Sequence, residues 1–253
     1  DSIPMLEANP DVYLSENLTA LIMVMAMNTE RPYLSDLKVR QAINYAIDKQ
    51  KILDIAYGGG EPINTFMDRA NAYYNDVEYY SYDPDKARAL LAEAGVDSDH
   101  VFELYLPQNY ALHVSAGEMY QEMLSKVGLN VKIQLVDWST WLSDVYRGSQ
   151  FDFTVIGHTG KLDPDGTLSG YGEGKYVNWY NDRVAELLKE AAVTIGYDER
   201  KPLYDQALDI MAKEVPFVYL GSSYRFTGIR NNVEGFVITP MLDTFDFRWT
   251  VVE

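Results

Sequence analysis

The spacing of hydrophobic residues changes repeatedly in the middle of the chain. Alternating apolar positions predict strands over residues 101–106 and 131–136, and a short apolar run predicts a third strand over residues 151–156. Between these strands, apolar residues recur at helical spacing over residues 112–127 and 138–146. Strands that alternate with such helices are typical of parallel βαβ units with right-handed crossovers. The pattern therefore predicts an α/β fold arranged as a three-layer sandwich.

Further helices are predicted on both sides of this unit. Ser35 and Asp36 are suitable caps of one helix, Asp48 and Asp83 are suitable N-caps of two others, and apolar residues at helical spacing follow in each case. Two longer amphipathic stretches, residues 181–193 and 199–214, predict helices towards the other end of the chain. These helices are available to cover the predicted sheet.

The remaining segments predict additional strands and two irregular stretches. The apolar run at residues 18–27 is too short to span a membrane and predicts a buried strand. Two short strands are predicted over residues 217–220 and 225–229. Residues 1–17 are polar and are expected to be irregular. Residues 58–82 predict a long loop, whose several tyrosines are expected to cover an edge of the core.

Composition narrows the class of protein. The chain has 253 residues, 47% of them hydrophobic, which suffices for one large domain or two small ones. It contains no cysteine, so a disulfide scaffold, a thiolate metal site and a cysteine nucleophile are excluded. A net charge of −17, with no basic patch, argues against binding to nucleic acid or to anionic membranes.

The motifs of common enzymes and metal sites are absent from the sequence. There is no G-x-S-x-G, no Walker loop and no H-E-x-x-H. The three histidines, His100, His113 and His158, lie on different predicted elements without the spacing of a metal site. Asp163 and Asp165 lie in one loop, whereas a glycosidase needs two carboxylates from separate elements across the sugar. The sequence therefore predicts neither a catalytic site nor a metal site.

Three literal strings carry a family resemblance. Residues 28–53 read N-T-E-R-P-Y-L-S-D-L-K-V-R-Q-A-I-N-Y-A-I-D-K-Q-K-I-L, and residues 82–95 read Y-D-P-D-K-A-R-A-L-L-A-E-A-G. Residues 198–220 read D-E-R-K-P-L-Y-D-Q-A-L-D-I-M-A-K-E-V-P-F-V-Y-L. These strings resemble hallmarks of the extracytoplasmic solute-binding proteins of peptide and nickel ABC importers. The resemblance covers nearly the whole chain but only the second half of a family member.

The resemblance implies a fold and a division into segments. It implies a lobe like those of class II periplasmic binding proteins, with a mixed, largely parallel sheet. Residues 21–235 are expected to form the C-terminal ligand-binding lobe. Residues 1–20 are expected to belong to, or lead from, a second lobe that is missing here, and residues 236–253 to return to it.

The resemblance also implies a function and partners. It implies the substrate-binding component of an ABC importer, which captures a small solute between two lobes and delivers it to a membrane permease. The solute is a peptide or an oligosaccharide, and no cofactor is implied. The protein is expected to be a monomer outside the bacterial cytoplasm, in the periplasm or tethered at the outer face of the membrane.

The candidate ligand contacts follow from the strand ends. In open α/β sheets, ligands bind beyond the carboxyl ends of the strands. The three strands of the central unit end before residues 107–110, 137–138 and 157–165, and in the resembling family this edge faces the cleft between the lobes. The candidate ligand-binding residues are Asn109, Tyr110, Trp138, His158, Thr159, Lys161 and Asp163.

One of these loops departs from the family pattern. Residues 157–166, G-H-T-G-K-L-D-P-D-G, resemble the family's "G-W-x-x-D … D-P" segment, whose aspartate neutralises the α-ammonium of a bound peptide. His158 takes the place of the tryptophan and Lys161 takes that of the aspartate. A lysine repels an ammonium group and suits a carboxylate, a phosphate or hydroxyl groups better. An oligosaccharide or an anionic small molecule is therefore an alternative to a peptide.

Two other classes of protein remain as alternatives. A glycoside hydrolase is disfavoured because the cleft loops offer no convergent acid and base. A sensor module that presents its ligand to a receptor cannot be told from a transport protein by sequence, because both capture a solute in the same way.

Overall fold

A mixed β-sheet with helices on both faces forms the centre of the structure. The structure is a computed structural model that describes residues 3–241 and 244–253. Its helices are α1 (Ile3–Glu7), α2 (Leu37–Tyr45), α3 (Lys49–Ala56), α4 (Pro84–Ala94), α5 (Ala111–Lys126), α6 (Trp138–Thr140), α7 (Asp165–Leu168), α8 (Asp182–Val193) and α9 (Tyr197–Glu214). A π-helix follows α6 over Trp141–Arg147, and a 3₁₀ turn covers Lys175–Val177.

The strands include several short pairs outside the main sheet. They are β1 (Val12–Leu18), β2 (Leu21–Met27), β3 (Gly60–Pro62), β4 (Val101–Pro107), β5 (Asn130–Val136), β6 (Phe153–Thr159), β7 (Glu173–Gly174), β8 (Trp179–Tyr180), β9 (Phe217–Arg230), β10 (Val233–Glu234), β11 (Val237–Ile238), β12 (Phe245–Asp246) and β13 (Val251–Val252). The pairs β7–β8, β10–β13 and β11–β12 form small separate sheets.

The main sheet is mixed, as predicted, but it is not largely parallel. Its strand order is β1-β9-β2-β6-β4-β5, with β3 also paired to β9. β4 pairs in parallel with both β5 and β6, which confirms the predicted βαβαβ unit. β2 and β9 lie outside that unit, and the pairs β6–β2, β2–β9, β9–β1 and β9–β3 are antiparallel.

The central strand β2 divides the core into two layers. Met23, Met25 and Met27 pack into the cluster on one face of the sheet. Ile22 and Val24 pack into the cluster on the opposite face. Because successive side chains of a strand point to opposite faces, a strand covered on both sides must be apolar throughout. The unbroken apolar run in the sequence therefore reflects the three-layer arrangement, which confirms the predicted sandwich.

The predicted N-caps have the expected geometry. The side chains of Asp36, Asp48 and Asp83 accept hydrogen bonds from backbone N–H groups in the first turns of α2, α3 and α4. Gly95 ends α4 in the left-handed region with φ at 66°, which glycine adopts without steric cost. These ends were predictable because capping depends only on residues next to each other in sequence.

The two ends of the sequence differ from expectation. Residues 3–17 are not irregular, because they contain α1 and most of β1, which pairs with the second half of β9. The two short strands predicted near residue 220 are one continuous strand, β9. β1 alternates poorly and is only partly buried, so its partner strand, far away in sequence, determines its conformation. Of the expected terminal segments, residues 1–2 and 242–243 lie outside the described residues.

The tyrosines of the long loop cover an edge of the core, as predicted. Tyr73, Tyr74 and Tyr80 pack against the second core cluster. The Tyr80 hydroxyl also donates to the Lys213 carbonyl at 2.7 Å, which ties the loop to α9. Tyr79 and other exposed members lie outside the cleft described below.

Arg40 joins the first helix pair to the rest of the core. Its side chain is buried, and burial lowers its pKa from the ordinary value. Its Nε donates to the Glu214 carbonyl at 3.0 Å, and its Nη1 donates to the carbonyls of Leu34 and Ser35 at 2.9 and 3.1 Å. The arginine of the V-R-Q-A string thus satisfies three backbone acceptors from two distant parts of the chain.

We expect Arg40→Met to lower the free energy of unfolding by about 3 kcal/mol, because it leaves buried carbonyl groups without donors. Chemical unfolding measures the change. Arg183→Met is the matched control: its side chain is 55% exposed, so we expect a change within about 0.5 kcal/mol. Equal stability of the Arg40 variant and the parent would contradict this role.

Candidate ligand-binding site

A cleft opens at the carboxyl ends of β4, β5 and β6. Its volume is about 680 Å³, which lies within the range of small-molecule sites. The loop after β4 contributes Asn109 and Tyr110, the helix after β5 contributes Trp138, and the end of β6 contributes His158 and Thr159. Five of the seven residues expected from the strand ends therefore lie around one cavity. That they touch a ligand stays a prediction.

A series of stacked aromatic rings forms one side of the cleft. The rings of Trp138 and Trp141 are stacked at 4.9 Å with an angle of 4° between their planes. Tyr146 stacks on Trp141 at 5.7 Å, and Tyr110 meets Trp138 edge to face at 5.3 Å. The Trp141 indole N–H donates to Thr154 Oγ1 at 2.9 Å, which anchors the series to β6.

The π-helix explains why three of these rings are in line. The helix predicted over residues 138–146 is instead α6 followed by a π-helix. In an α-turn, Trp138 and Trp141 are neighbours on one face, whereas a π-turn brings residues five apart together. The Tyr146 ring therefore stacks on the Trp141 ring. Tyr146 was not predicted as a cleft residue because a regular α-helix places it elsewhere on the helix surface.

Two tyrosine–histidine pairs contribute polar atoms to the cleft. The Tyr176 hydroxyl is hydrogen-bonded to His158 Nε2, and the Tyr57 hydroxyl is hydrogen-bonded to His113 Nδ1, each at 2.8 Å. Burial raises the pKa of both tyrosines, so each hydroxyl keeps its proton. Burial is also the main cause that lowers the pKa of each histidine from 6.5 to about 4. Both imidazoles are therefore neutral at pH 7.

Two of the expected residues lie outside the cleft. Both carboxylate oxygens of Asp163 accept hydrogen bonds from Arg200, at 2.8 and 2.9 Å. This pairing lowers the pKa of Asp163 and directs its side chain away from the cleft. Lys161 is exposed, and its backbone N–H donates to Thr167 Oγ1 at 3.0 Å. The loop turns away after Gly160, whose N–H is held by the Ala20 carbonyl at 2.7 Å.

Other lining residues were not identified from the sequence. Tyr57 follows α3, Leu21 begins β2, and Ser223 lies in β9, so each reaches the cleft from outside the βαβαβ unit. His113 was noted only for its lack of metal-site spacing. No local pattern marks Leu21, Tyr57 or Ser223, because only the tertiary fold brings them to the cleft. His113 lies in the first turn of α5, directly after the loop of Asn109 and Tyr110.

The described residues show no candidate for metal binding and no membrane-crossing helix. Residues 3–241 and 244–253 contain no group of three or more His, Cys, Asp or Glu side chains placed to hold a metal ion. Within the same residues, every helix is too short or too polar to cross a bilayer.

A family model matches most of the chain. The model for bacterial extracellular solute-binding proteins, family 5 (middle region), matches residues 1–179. The dipeptide-binding protein of Escherichia coli (strain K12) is 30% identical over 231 residues, which are 86% of this chain and 43% of that protein. Heme-binding protein A of Haemophilus influenzae is 28% identical over 248 residues, which are 93% of this chain and 45% of that protein.

The fold is shared with solved structures. The crystal structure of a putative peptide-binding protein AppA from Clostridium difficile superposes with a TM-score of 0.90 at 20% identity. The match covers 99% of this chain and 54% of that structure. The chain spans about half the length of the curated relatives that it matches.

We expect acid to destabilise the folded protein through the two buried histidines. The unfolded imidazoles, with an ordinary pKa of 6.5, take up protons before the folded ones, whose pKa is about 4. The free energy of unfolding therefore falls as the pH drops from about 6.5 to about 4, and these two groups add no pH dependence above that window.

Unfolding measured at several pH values should show a smaller decrease in the free energy of unfolding for His113→Gln and for His158→Gln. Tyr180→Phe, on β8 outside the cleft, is the control and should follow the parent. A parent-like decrease in both histidine variants would contradict the assignment.

Proposed function

This chain belongs to the bacterial extracellular solute-binding proteins, family 5, and from that premise we propose that it is the ligand-binding lobe of an ABC importer's substrate-binding component. Residues 21–235 form the lobe, and β1 adds an edge strand to its sheet. Residues 1–20 and 236–253 connect it to a second lobe elsewhere in the whole protein. The solute settles between the lobes, the hinge closes, and the closed protein delivers the solute to a membrane permease.

The cleft at the carboxyl ends of β4, β5 and β6 is the observation that carries this proposal. Its position is the one that open α/β sheets use for ligands, and its volume suits a small solute. It is an open groove and supplies one wall of a site. A second wall from the other lobe is needed to bury most of a ligand's surface. Capture between two lobes is therefore the mechanism that fits it.

We assign ligand contacts to the five expected residues that line the cleft. Tyr110 and Trp138 offer aromatic surface, which contributes large contact area and tolerates varied ligands. Asn109 and Thr159 offer neutral donors and acceptors, and His158 offers an imidazole that Tyr176 orients. Lys161 and Asp163 are left out of the assignment because their side chains lie elsewhere.

A short peptide is the ligand that we propose first. The relative named for dipeptide binding supports it, although a second relative of similar identity is named for heme. An oligosaccharide or an anionic small molecule is the alternative, because His158 stands where peptide binders of the resembling family have a tryptophan. A sensor module would capture the same ligands and differ only in the partner that receives them.

The remaining properties follow from the same proposal. The protein binds and does not catalyse, requires no cofactor, and acts as a monomer with the permease as its partner. It works in the periplasm or tethered to the outer face of the membrane. Its charge of −17 disfavours nucleic acid as a partner.

The test uses the full-length protein that contains this chain, purified without denaturation. Native mass spectrometry identifies solutes that remain bound, and calorimetry then measures the affinity for them and for a panel of di- and tripeptides. Retained or titrated peptides support the proposal. A retained sugar or small acid supports the alternative ligands. A folded protein that binds none of these solutes contradicts the proposal.

We expect Trp138→Ala to weaken binding of the solute about tenfold or more, because it removes a large aromatic contact from the cleft. Lys161→Glu is the matched control on the neighbouring loop. Its side chain lies outside the cleft, so we expect less than about a twofold change from this long-range charge reversal. If Lys161→Glu weakens binding strongly and Trp138→Ala does not, the solute binds at the loop and not in the cleft.

A further inference from the structure

The cleft carries no side chain that is ionised at neutral pH. Among residues 3–241 and 244–253, none of those that line it is an aspartate, glutamate, lysine or arginine. The chain as a whole contains 38 acidic and 21 basic residues, so their exclusion from this surface is distinctive. The two lining histidines are neutral because burial lowers the pKa of each to about 4, and each is also hydrogen-bonded to a tyrosine hydroxyl.

The exposed surface of the cleft is largely aromatic and aliphatic. Tyr110 and Tyr146 are 41% and 43% exposed, and Leu112 is 55% exposed. Trp138 lies between the two tyrosines in the ring series. Surface of this kind gains free energy when a flat apolar group covers it, and aromatic rings add edge and stacking contacts.

A charged group buried against this wall would find no partner of opposite charge among the described residues that line it. Removing an ammonium or a carboxylate from water is costly unless an ion pair or several hydrogen bonds compensate for the lost hydration. Asn109 and Thr159 offer only neutral hydrogen bonds. The nearby ion pair of Asp163 with Arg200 is already satisfied and lies outside the cleft.

We propose that this wall is a specificity site for an uncharged, flat ring of the solute, such as an aromatic side chain of a peptide. The inference rests on the proposed function and deepens it, because it names the part of the solute that this lobe takes. The ionised groups of the solute, including any free ammonium or carboxylate, are held outside this wall.

One feature of the cleft favours an anion instead. α5 begins beside it without a side-chain cap, and a helix N-terminus carries about half a positive elementary charge. That partial charge is smaller than the full charge of a counterion and is open to solvent in the groove. We therefore expect it to favour carbonyl or hydroxyl oxygens of the solute and not to overcome the desolvation of a carboxylate.

The test compares three small probes with one ring and different charge, on the full-length protein at pH 7. Indole-3-acetamide is neutral, tryptamine is a cation, and indole-3-acetate is an anion. Saturation-transfer NMR titrations give their relative affinities. We expect indole-3-acetamide to bind about tenfold more tightly than either charged probe. Equal or tighter binding of tryptamine or indole-3-acetate overturns the proposal.

Variants locate the binding of the neutral probe. Tyr146→Ala removes a ring that is 43% exposed, so the variant should stay folded, and Trp138→Phe keeps an aromatic ring of smaller area. We expect both to weaken indole-3-acetamide binding, Tyr146→Ala by about fivefold. Tyr180→Ala, 63% exposed on β8, is the control and should bind like the parent. Unchanged binding in both cleft variants places the probe elsewhere and overturns the proposal.

A peptide titration of the same samples separates the two proposals. If peptides bind but the neutral probe has no advantage, the ring site is wrong and the transport proposal stands. If the neutral probe is preferred but no peptide, sugar or small acid binds, the ring site stands and the proposed function is wrong.

Discussion

The structure depends on the pairing of β2 with β6. β2 is hydrogen-bonded to a strand on each side and is buried on both faces, so a one-residue shift of its register would exchange its methionines with the smaller side chains of the opposite, closely packed layer. In the observed register, Ile22 faces His158 and Leu21 faces Thr159. The same pairing that divides the core therefore fixes the end of β6, where the cleft begins.

Neutrality is the chemical property that distinguishes the cleft from the rest of the surface. The chain is strongly acidic, yet its cleft presents rings, hydroxyls, an amide and two neutral imidazoles. The imidazoles stay neutral because burial penalises the charged form, and a tyrosine hydroxyl is hydrogen-bonded to one nitrogen of each. A wall of this kind contributes contact area and orientation, and it leaves recognition of charge to other parts of the protein.

Much of the fold was predictable because it depends on local signals. The caps at Asp36, Asp48 and Asp83 and the alternation around β4, β5 and β6 are encoded by neighbouring residues. The pairing of β1 with β9 was not, because the polar residues of β1 do not indicate a strand by themselves, although residues 225–229 of its partner were predicted as one. The expectation that ligands bind beyond strand ends located five cleft residues. Tyr146 reaches the cleft only because its helix contains a π-turn, and Asp163 lies outside the cleft because it pairs with Arg200. Such outcomes depend on tertiary partners that hydrophobic spacing does not reveal.

The most direct measurement of the central claim is a crystal structure of the full-length protein with its bound solute. The account predicts electron density for the solute in the cleft at the carboxyl ends of β4, β5 and β6. An uncharged ring of the solute should contact Trp138, Tyr110 or Tyr146, with every ionised group of the solute away from this wall. Density for the solute outside the cleft, or an ammonium or carboxylate group packed against these rings, would contradict it.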